Sequence, residues 1–376
     1  MRIGIDAHAA ERDGSGNCTY IRGLIRGLLE LERENDYVLY VIDKEHRFYR
    51  DIRDQAGVRL HPLRIKSPLL RIPVFLAAAT YGDDLDVLHV QYIAPPRHSG
   101  SLVVTIHDTA FLHVPRTFAR LEALRSRLLV PRTARRAERI ITGSESSKTD
   151  IAADCRVEPG KIDVTPYGVS ASFAETRDAG KNRDVPAKYG IREPYILCVG
   201  RLNARKNLTV LAEAFSLAKN RQGLQHTLVI VGKPDHGSGG VLKSVRKKGS
   251  GEVQFTGFVP DEDLPVLYAR ADIVVYPSLF EGFGLPIVEA MASGVPVVAS
   301  DTPALRETMG GAAWAVSPLQ AGAMAAAIAS LASDEKLRKD FVARGLARAA
   351  EFTWRKTARM TLAVYERAAA AGRRGG

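Results

Sequence analysis

The most chemically suggestive stretch of this 376-residue sequence runs Ser278-Leu-Phe-Glu281-Gly282-Phe283-Gly284-Leu285-Pro286-Ile-Val-Glu289. Gly282 and Gly284 permit backbone conformations and close approaches that other residues resist. Pro286 suits the first turn of a helix, and the free amides of a helix start attract an anion. Glu281 is expected in the loop and Glu289 about one turn inside the helix; eight helical positions turn through roughly 80° net, so that both carboxylates would face one ligand. An isolated glycine pair would read as a tight turn; the length of this run points instead to a ligand site. A second segment, Gly200-Arg201-Leu-Asn-Ala-Arg205-Lys206-Asn207-Leu208, leads from a strand end into a helix. Arg201 and Lys206 can converge there on one anion, the first as a fork and the second as a point charge. Asn207 reads as the N-cap.

Weaker candidates lie in the first half of the chain. Asp13-Gly14-Ser15-Gly16-Asn17 is a short glycine loop that lacks the full G-x-G-x-x-G spacing, with no ribose-binding acid at the expected distance. His107-Asp108 closes a strand-like run, where a histidine facing a cleft becomes a polar or acid/base group. Ser144 to Lys148 reads as a helix cap. Asp84-Leu85-Asp86 has the look of a metal pair, but it lies where a strand begins, so we read a solvated turn and expect no metal.

These segments need elements to hold them. One series of apolar, Val- and Ile-rich runs comprises Arg2–Asp6, Tyr37–Asp43, Leu85–Ile93, Leu102–Asp108 and Arg139–Ser144. A second comprises Tyr195–Gly200, His226–Gly232, Val253–Phe258, Ile273–Ser278 and Val295–Ser300. Continuous apolar runs suit parallel strands buried on both faces. Helical patterns separate them: Tyr20, Leu24 and Leu28 in one, Leu208, Leu211, Phe215 and Ala218 in another. The expected fold class is α/β, with two Rossmann-like doubly wound parallel sheets in domains 1–170 and 171–353 that face a cleft. The polar stretch from Ser170 to Pro194 is the expected linker, and a helix from Trp354 to Ala370 closes the fold. Ligands of such sheets bind beyond the carboxyl ends of the strands, where the candidates above sit.

Composition narrows the function classes. Hydrophobic residues make up 45% and charged residues 25% of the chain, which argues against disorder. No apolar run reaches the ~18 residues of a membrane span. Met1 to Asp6 meets an acid before any apolar region, so no secretory leader is expected. Cys18, Cys155 and Cys198 fit no disulfide or metal spacing, and we expect a reduced, cytoplasmic protein. The net charge of +11 suggests anionic partners. A nucleic-acid-binding protein is the distant alternative, and no zinc knuckle, RNP-like strand or helix-turn-helix supports it. From Arg116 to Arg139 eight arginines stand against Glu122 and Glu138, interleaved with leucines. The segment reads either as a solvated face or as a peripheral contact with anionic membrane.

The residues from Glu281 to Pro296 resemble the E-x7-E signature of the retaining glycosyltransferases of family 4, which have the GT-B fold. Gly200–Leu208 is similar to that family's G-R-x-x-x-x-K-N-L segment, Asp13–Tyr20 to its glycine loop, Thr105–Asp108 to its H-D strand end, and Pro166–Val169 to its P-x-G-V element. The resemblance implies a nucleoside-diphosphate-sugar donor, GDP- or UDP-linked, with no cofactor. It implies that Arg201 and Lys206 bind the diphosphate after Gly200, and that Gly16 approaches it from the other domain. It also implies that Glu281 lies near the donor sugar in the Gly282 loop, that the amides of Phe283, Gly284 and Leu285 meet sugar or phosphate, and that Glu289 accepts from ribose hydroxyls. His107 would face the sugar, and the last helix would cross back to the N-terminal domain. The implied reaction is metal-independent transfer of a hexosyl group, with a tilt to mannosyl, to a glycan or lipid-linked acceptor. A sugar-nucleotide 2-epimerase of the same fold is the alternative. The family pattern usually has a branched aliphatic residue between the loop glycines, where this chain has Ser15.

Overall fold

A computed structural model describes residues 1–31, 34–63, 65–178, 184–235, 237–249 and 251–375. The chain divides into two compact units. The first holds Met1–His113, Arg120–Gly168 and Trp354–Gly376; the second holds Val114–Ala119 and Val169–Thr353.

The first unit is built on a seven-stranded sheet of order β3-β2-β1-β4-β5-β6-β7. Its strands are β1 (Arg2–Asp6), β2 (Asp36–Val41), β3 (Val58–Pro62), β4 (Val87–Gln91), β5 (Ser101–Thr105), β6 (Arg139–Thr142) and β7 (Ile162–Val164). The second unit has a six-stranded sheet of order β10-β9-β8-β11-β12-β13. Its strands are β8 (Tyr195–Val199), β9 (Thr227–Val231), β10 (Val253–Gly257), β11 (Ile273–Tyr276), β12 (Val297–Ser300) and β13 (Trp314–Val316). Every pairing is parallel. Strand order reverses between β1 and β4 in one sheet and between β8 and β11 in the other, which creates the crevice where such sheets take ligands.

All ten expected strands are present. The three extra ones, β3, β7 and β13, lie at or next to sheet edges. β7 and β13 are three residues long, and β3 ends in Pro62 and is only partly buried, so none offers a continuous apolar run. The expected linker is not structureless: it carries the helices Ala171–Asp178 and Asp184–Lys188, with residues 179–183 outside the described residues.

In the second unit, Leu211 and Phe215 of the helix Leu208–Gln222 join Met324, Ile328 and Leu331 of the helix Ala321–Ser333 in one core with Ile196, Ile230 and Val275 of the sheet. In the first unit, the helix Gly16–Leu31 packs against the helix Trp354–Gly375. Glycine makes the approach possible: a Cβ on Gly23 would stand 2.1 Å from the Trp354 ring, and one on Gly27 would stand 2.6 Å from the Trp354 carbonyl oxygen. Thr357 donates to the Pro166 carbonyl at 2.7 Å and fixes the same helix to the end of the first unit. The three cysteines are buried and none forms a disulfide. No helix among the described residues is long and apolar enough to cross a membrane.

Gly23→Ala tests this packing. Alanine favours an isolated helix by about 1 kcal/mol, but the overlap with Trp354 cannot be absorbed by a flexible side-chain tip. We expect a net loss of about 1–3 kcal/mol in denaturant unfolding; an unchanged midpoint would show that the Trp354 ring relocates freely.

Candidate active site

The segments after β8 and β11 meet at the reversal point of the second sheet. Leu279 N–H donates to the Arg205 carbonyl at 2.9 Å, which ties the loop after β11 to the 3-10 turn Ala204–Lys206. Glu281 is thereby set between two cations. Lys206 Nζ lies 2.6 Å from its Oε1, and Arg205 Nη1 lies 3.0 Å from its Oε2. Arg205 also donates to the Phe280 carbonyl, and Lys206 to the Tyr276 hydroxyl at 2.6 Å. Only 9% of the Glu281 side chain is exposed. Burial alone would raise its carboxyl, but the charges of Arg205 and Lys206 and the Lys206 hydrogen bond outweigh it and bring the group to about 2. For Lys206 the balance goes the other way, and burial holds the ammonium below the ordinary lysine value despite Glu281.

Arg201 and Lys206 are held by different acids. Arg201 is half exposed and faces Asp235 at 3.4 Å, with Asn203 donating to the same carboxylate. Asn207 is not a side-chain cap: it sits at φ 54, and its Nδ2 donates to the carbonyls of Pro277 and Pro318. That side chain instead bolts the turn to the end of β11.

The helix after the glycines starts at Leu285, four residues beyond Glu281, so the helical angle expected between the two glutamates does not apply. Gly284 takes φ +95, and a Cβ there would meet Leu305 at 2.6 Å, so this position requires glycine. The Phe283 carbonyl accepts from Thr308 at 2.6 Å and fixes the loop from behind. Glu289 lies inside the helix and accepts from the Tyr268 hydroxyl at 2.9 Å. Burial raises its carboxyl to about 7, with the Tyr268 bond only partly opposing. One glutamate is therefore a fixed anion and the other titrates near neutrality. Gly200, at φ +153, lets the Lys206 chain pass against the strand end.

In the first unit, His107 is buried after β5. Its Nδ1 lies 2.7 Å from the Tyr167 hydroxyl, and its Nε2 lies 2.9 Å from Gln91 Oε1. Burial drives the imidazole down to about 3. Both ring nitrogens are engaged and the ring is neutral, which disfavours the acid/base role and leaves a hydrogen-bonding one. Gly16 opens the helix Gly16–Leu31 with open space where a Cβ would be, so folding does not demand glycine there. Ser144 caps its helix by accepting from Ser147 N–H. Asp86 accepts from Arg2 N–H at the start of its strand, and no group of acids, histidines and cysteines suited to a metal occurs among the described residues. Sequence reasoning passed over Arg205, Tyr276 and Tyr268. Arg205 lies within the quoted motif, whereas the tyrosines are separated from their glutamates in sequence and carry no local signal.

Comparison with known proteins places this geometry. Residues 16–173 match the family described as Glycosyltransferase Family 4, and residues 182–348 match Glycosyl transferases group 1. The O-antigen chain mannosyltransferase B of Escherichia coli is 31% identical over 314 residues, 83% of this chain and 82% of that protein. The chain belongs to glycosyltransferase family 4. A second relative of this glycosyltransferase, the MMP alpha-(1->4)-mannosyltransferase of Mycolicibacterium hassiacum, is 31% identical over 64% of this chain and 56% of that protein. The fold is GT-B. The sucrose-phosphate synthase of Thermosynechococcus elongatus superposes with a TM-score of 0.77 at 21% identity, covering 99% of this chain and all of that one. Anabaena HepE in complex with UDP and glucose gives 0.70 at 19% identity, covering 97% of this chain and 99% of that one. The relatives named here are transferases and lend the epimerase alternative no support.

Glu289 makes the glycosyltransferase sensitive to pH. Its folded value of about 7 exceeds the ordinary 4.5, so the folded state holds the extra proton between these values. The stability of the unliganded enzyme should therefore fall as pH rises from about 4.5 to about 7, by on the order of 3 kcal/mol. Glu289→Gln keeps an acceptor for Tyr268 and removes that cost. Its melting temperature should match the parent at about pH 5 and exceed it at about pH 8; equal gaps at both would assign the titration elsewhere.

Proposed function

We propose that this glycosyltransferase moves a hexosyl group, mannosyl as first choice, from a GDP- or UDP-linked sugar to a glycan or lipid-linked acceptor, with retention at the anomeric carbon and without a metal. The observation that carries the reading is the cluster of Lys206 and Arg205 on buried Glu281 at the β8/β11 reversal. Negative charge grows on the leaving diphosphate during transfer, and prepositioned donors stabilise it best. Lys206, Arg205 and Arg201 supply positive charge there, and the amides of Phe283, Gly284 and Leu285 supply a helix start with no intrahelical acceptors. Glu281 holds the cations in place and faces the donor sugar. Ionised Glu289 accepts from the ribose hydroxyls. The leaving phosphate takes the acceptor proton.

Both relatives named above are mannosyltransferases, which supports mannosyl transfer. HepE, which shares the fold, is seen with UDP and glucose, which supports a nucleoside diphosphate on the donor side. Contact of the basic helix Arg120–Arg136 with anionic membrane fits a lipid-linked acceptor.

Calorimetry with GDP, UDP and ADP in chelator tests the donor reading. One of them should bind, and more tightly as pH rises through about 7, because the ribose needs the ionised carboxylate. No association with any of the three would remove it. Lys206→Ala leaves Glu281 with Arg205 alone. We expect about 3 kcal/mol lower stability and transfer reduced roughly 100- to 1,000-fold when normalised to folded protein. Near-parental turnover would take Lys206 off the diphosphate.

A further inference from the structure

Asp6 and His8 form a pair at the carboxyl end of β1, outside the donor site. Asp6 closes the strand with 2% of its side chain exposed. Its Oδ1 lies 2.8 Å from His8 Nδ1 and accepts the His8 backbone N–H at 3.5 Å. Arg71 Nη2 faces its other oxygen at 4.0 Å. Burial alone would raise the carboxyl, but His8 and Arg71 bring it to about 2. A buried carboxylate is costly, and a hydrogen bond to a residue two places along ties no distant elements together. What the pair does achieve is orientation. An ionised carboxylate only accepts, so His8 Nδ1 carries a proton and the neutral ring presents its lone pair at Nε2. The His8 side chain is 15% exposed. Its Nε2 has no partner among the described residues and is not closed off from solvent.

The turn that carries this nitrogen is held firmly. His8 opens the 3-10 turn His8–Glu11. Just before it, Ala7 N–H donates to the Tyr40 carbonyl of β2 at 2.9 Å, and the Ala7 carbonyl accepts from the Tyr49 hydroxyl at 2.8 Å. The place is also where a ligand belongs. β4 pairs beside β1 with His89 level with Ile5, and it ends at Gln91. Strand order reverses between these two strands, and such sheets take their ligands at that end. Gln91 Nε2 is buried there with no partner. Tyr92 follows at φ 60, a costly conformation for a bulky residue and one that clusters at ligand sites. An oriented lone pair at this end of the sheet suits a hydroxyl group.

We propose that His8 binds the acceptor by accepting at Nε2 a hydrogen bond from one of its sugar hydroxyls, with Asp6 as the positioning residue that fixes the tautomer of the ring. This rests on the proposed glycan acceptor and names a contact for it in the first unit, separate from the donor contacts.

Calorimetry of the whole chain with millimolar α-linked mannobiose, with and without GDP, tests it at about pH 8, above the ordinary histidine range. The parent should bind the sugar. His8→Phe keeps a ring and loses the lone pair, and should weaken binding about tenfold. His8→Gln retains an oxygen acceptor and should lose much less. In Asp6→Asn, Arg71 claims the amide oxygen, so the amide NH2 faces Nδ1 and drives the ring proton to Nε2. That variant should bind as weakly as His8→Phe, and ring-nitrogen NMR shifts should show Nε2 bare in the parent and protonated in Asp6→Asn. Parental binding by His8→Phe overturns the proposal, as does a bare Nε2 with parental binding in Asp6→Asn, or a parent that binds no sugar. Should Asp6→Asn fail to fold, His8→Phe against His8→Gln decides, and equal loss in the two would reduce His8 to packing. Binding of GDP, UDP and ADP should be parental in all three variants. Absence of nucleotide binding in the parent would sink the donor reading and leave the sugar titration without GDP to decide this one.

Discussion

The second unit is organised around a carboxylate that water scarcely reaches. Glu281 stays ionised because Lys206 and Arg205 face its two oxygens. Neither cation would remain in so dry a place without it. The three groups arrive from two loops after two adjacent strands, so the cluster also fixes the separation of those strand ends. Asn207 and the Leu279–Arg205 backbone bond secure the same junction with neutral contacts. The site is therefore rigid at its charged floor, and Glu289, lacking a cation, is left to respond to pH.

The first unit solves the problem of buried polarity differently. His89, Thr105, Tyr20 and Tyr365 form one hydrogen-bonded chain, and His107, Tyr167 and Gln91 form another. Burial keeps both histidines neutral, near 3. Neutral chains cost less to bury than ions and leave few groups that titrate at working pH. Arg71 breaks this pattern, a buried guanidinium that faces the carboxylate of Asp6 at 4.0 Å.

Much of this architecture was legible in the sequence because buried parallel strands are long apolar runs and the glycosyltransferase motifs follow them directly. The short strands β7 and β13 escaped because three residues cannot show a period. The site was legible as a set of residues but not as a set of partners. Arg201 and Lys206 share a motif, yet separate carboxylates hold them. The helical angle between Glu281 and Glu289 failed because Gly284 delays the helix to Leu285. The tyrosines that set Lys206 and Glu289 come from distant segments, and Arg71 has no motif at all.

The return of Trp354–Gly375 to the first unit has a bearing on how the chain is made. The ribosome delivers the first sheet early, but the groove opened by Gly23 and Gly27 stays bare until translation has passed through the entire second unit. The second unit can mature while the first waits, an inversion of the usual N-to-C order. During that interval the apolar face of the helix Gly16–Leu31 is a natural client surface for a chaperone, and a message truncated before Trp354 would leave it uncovered for good.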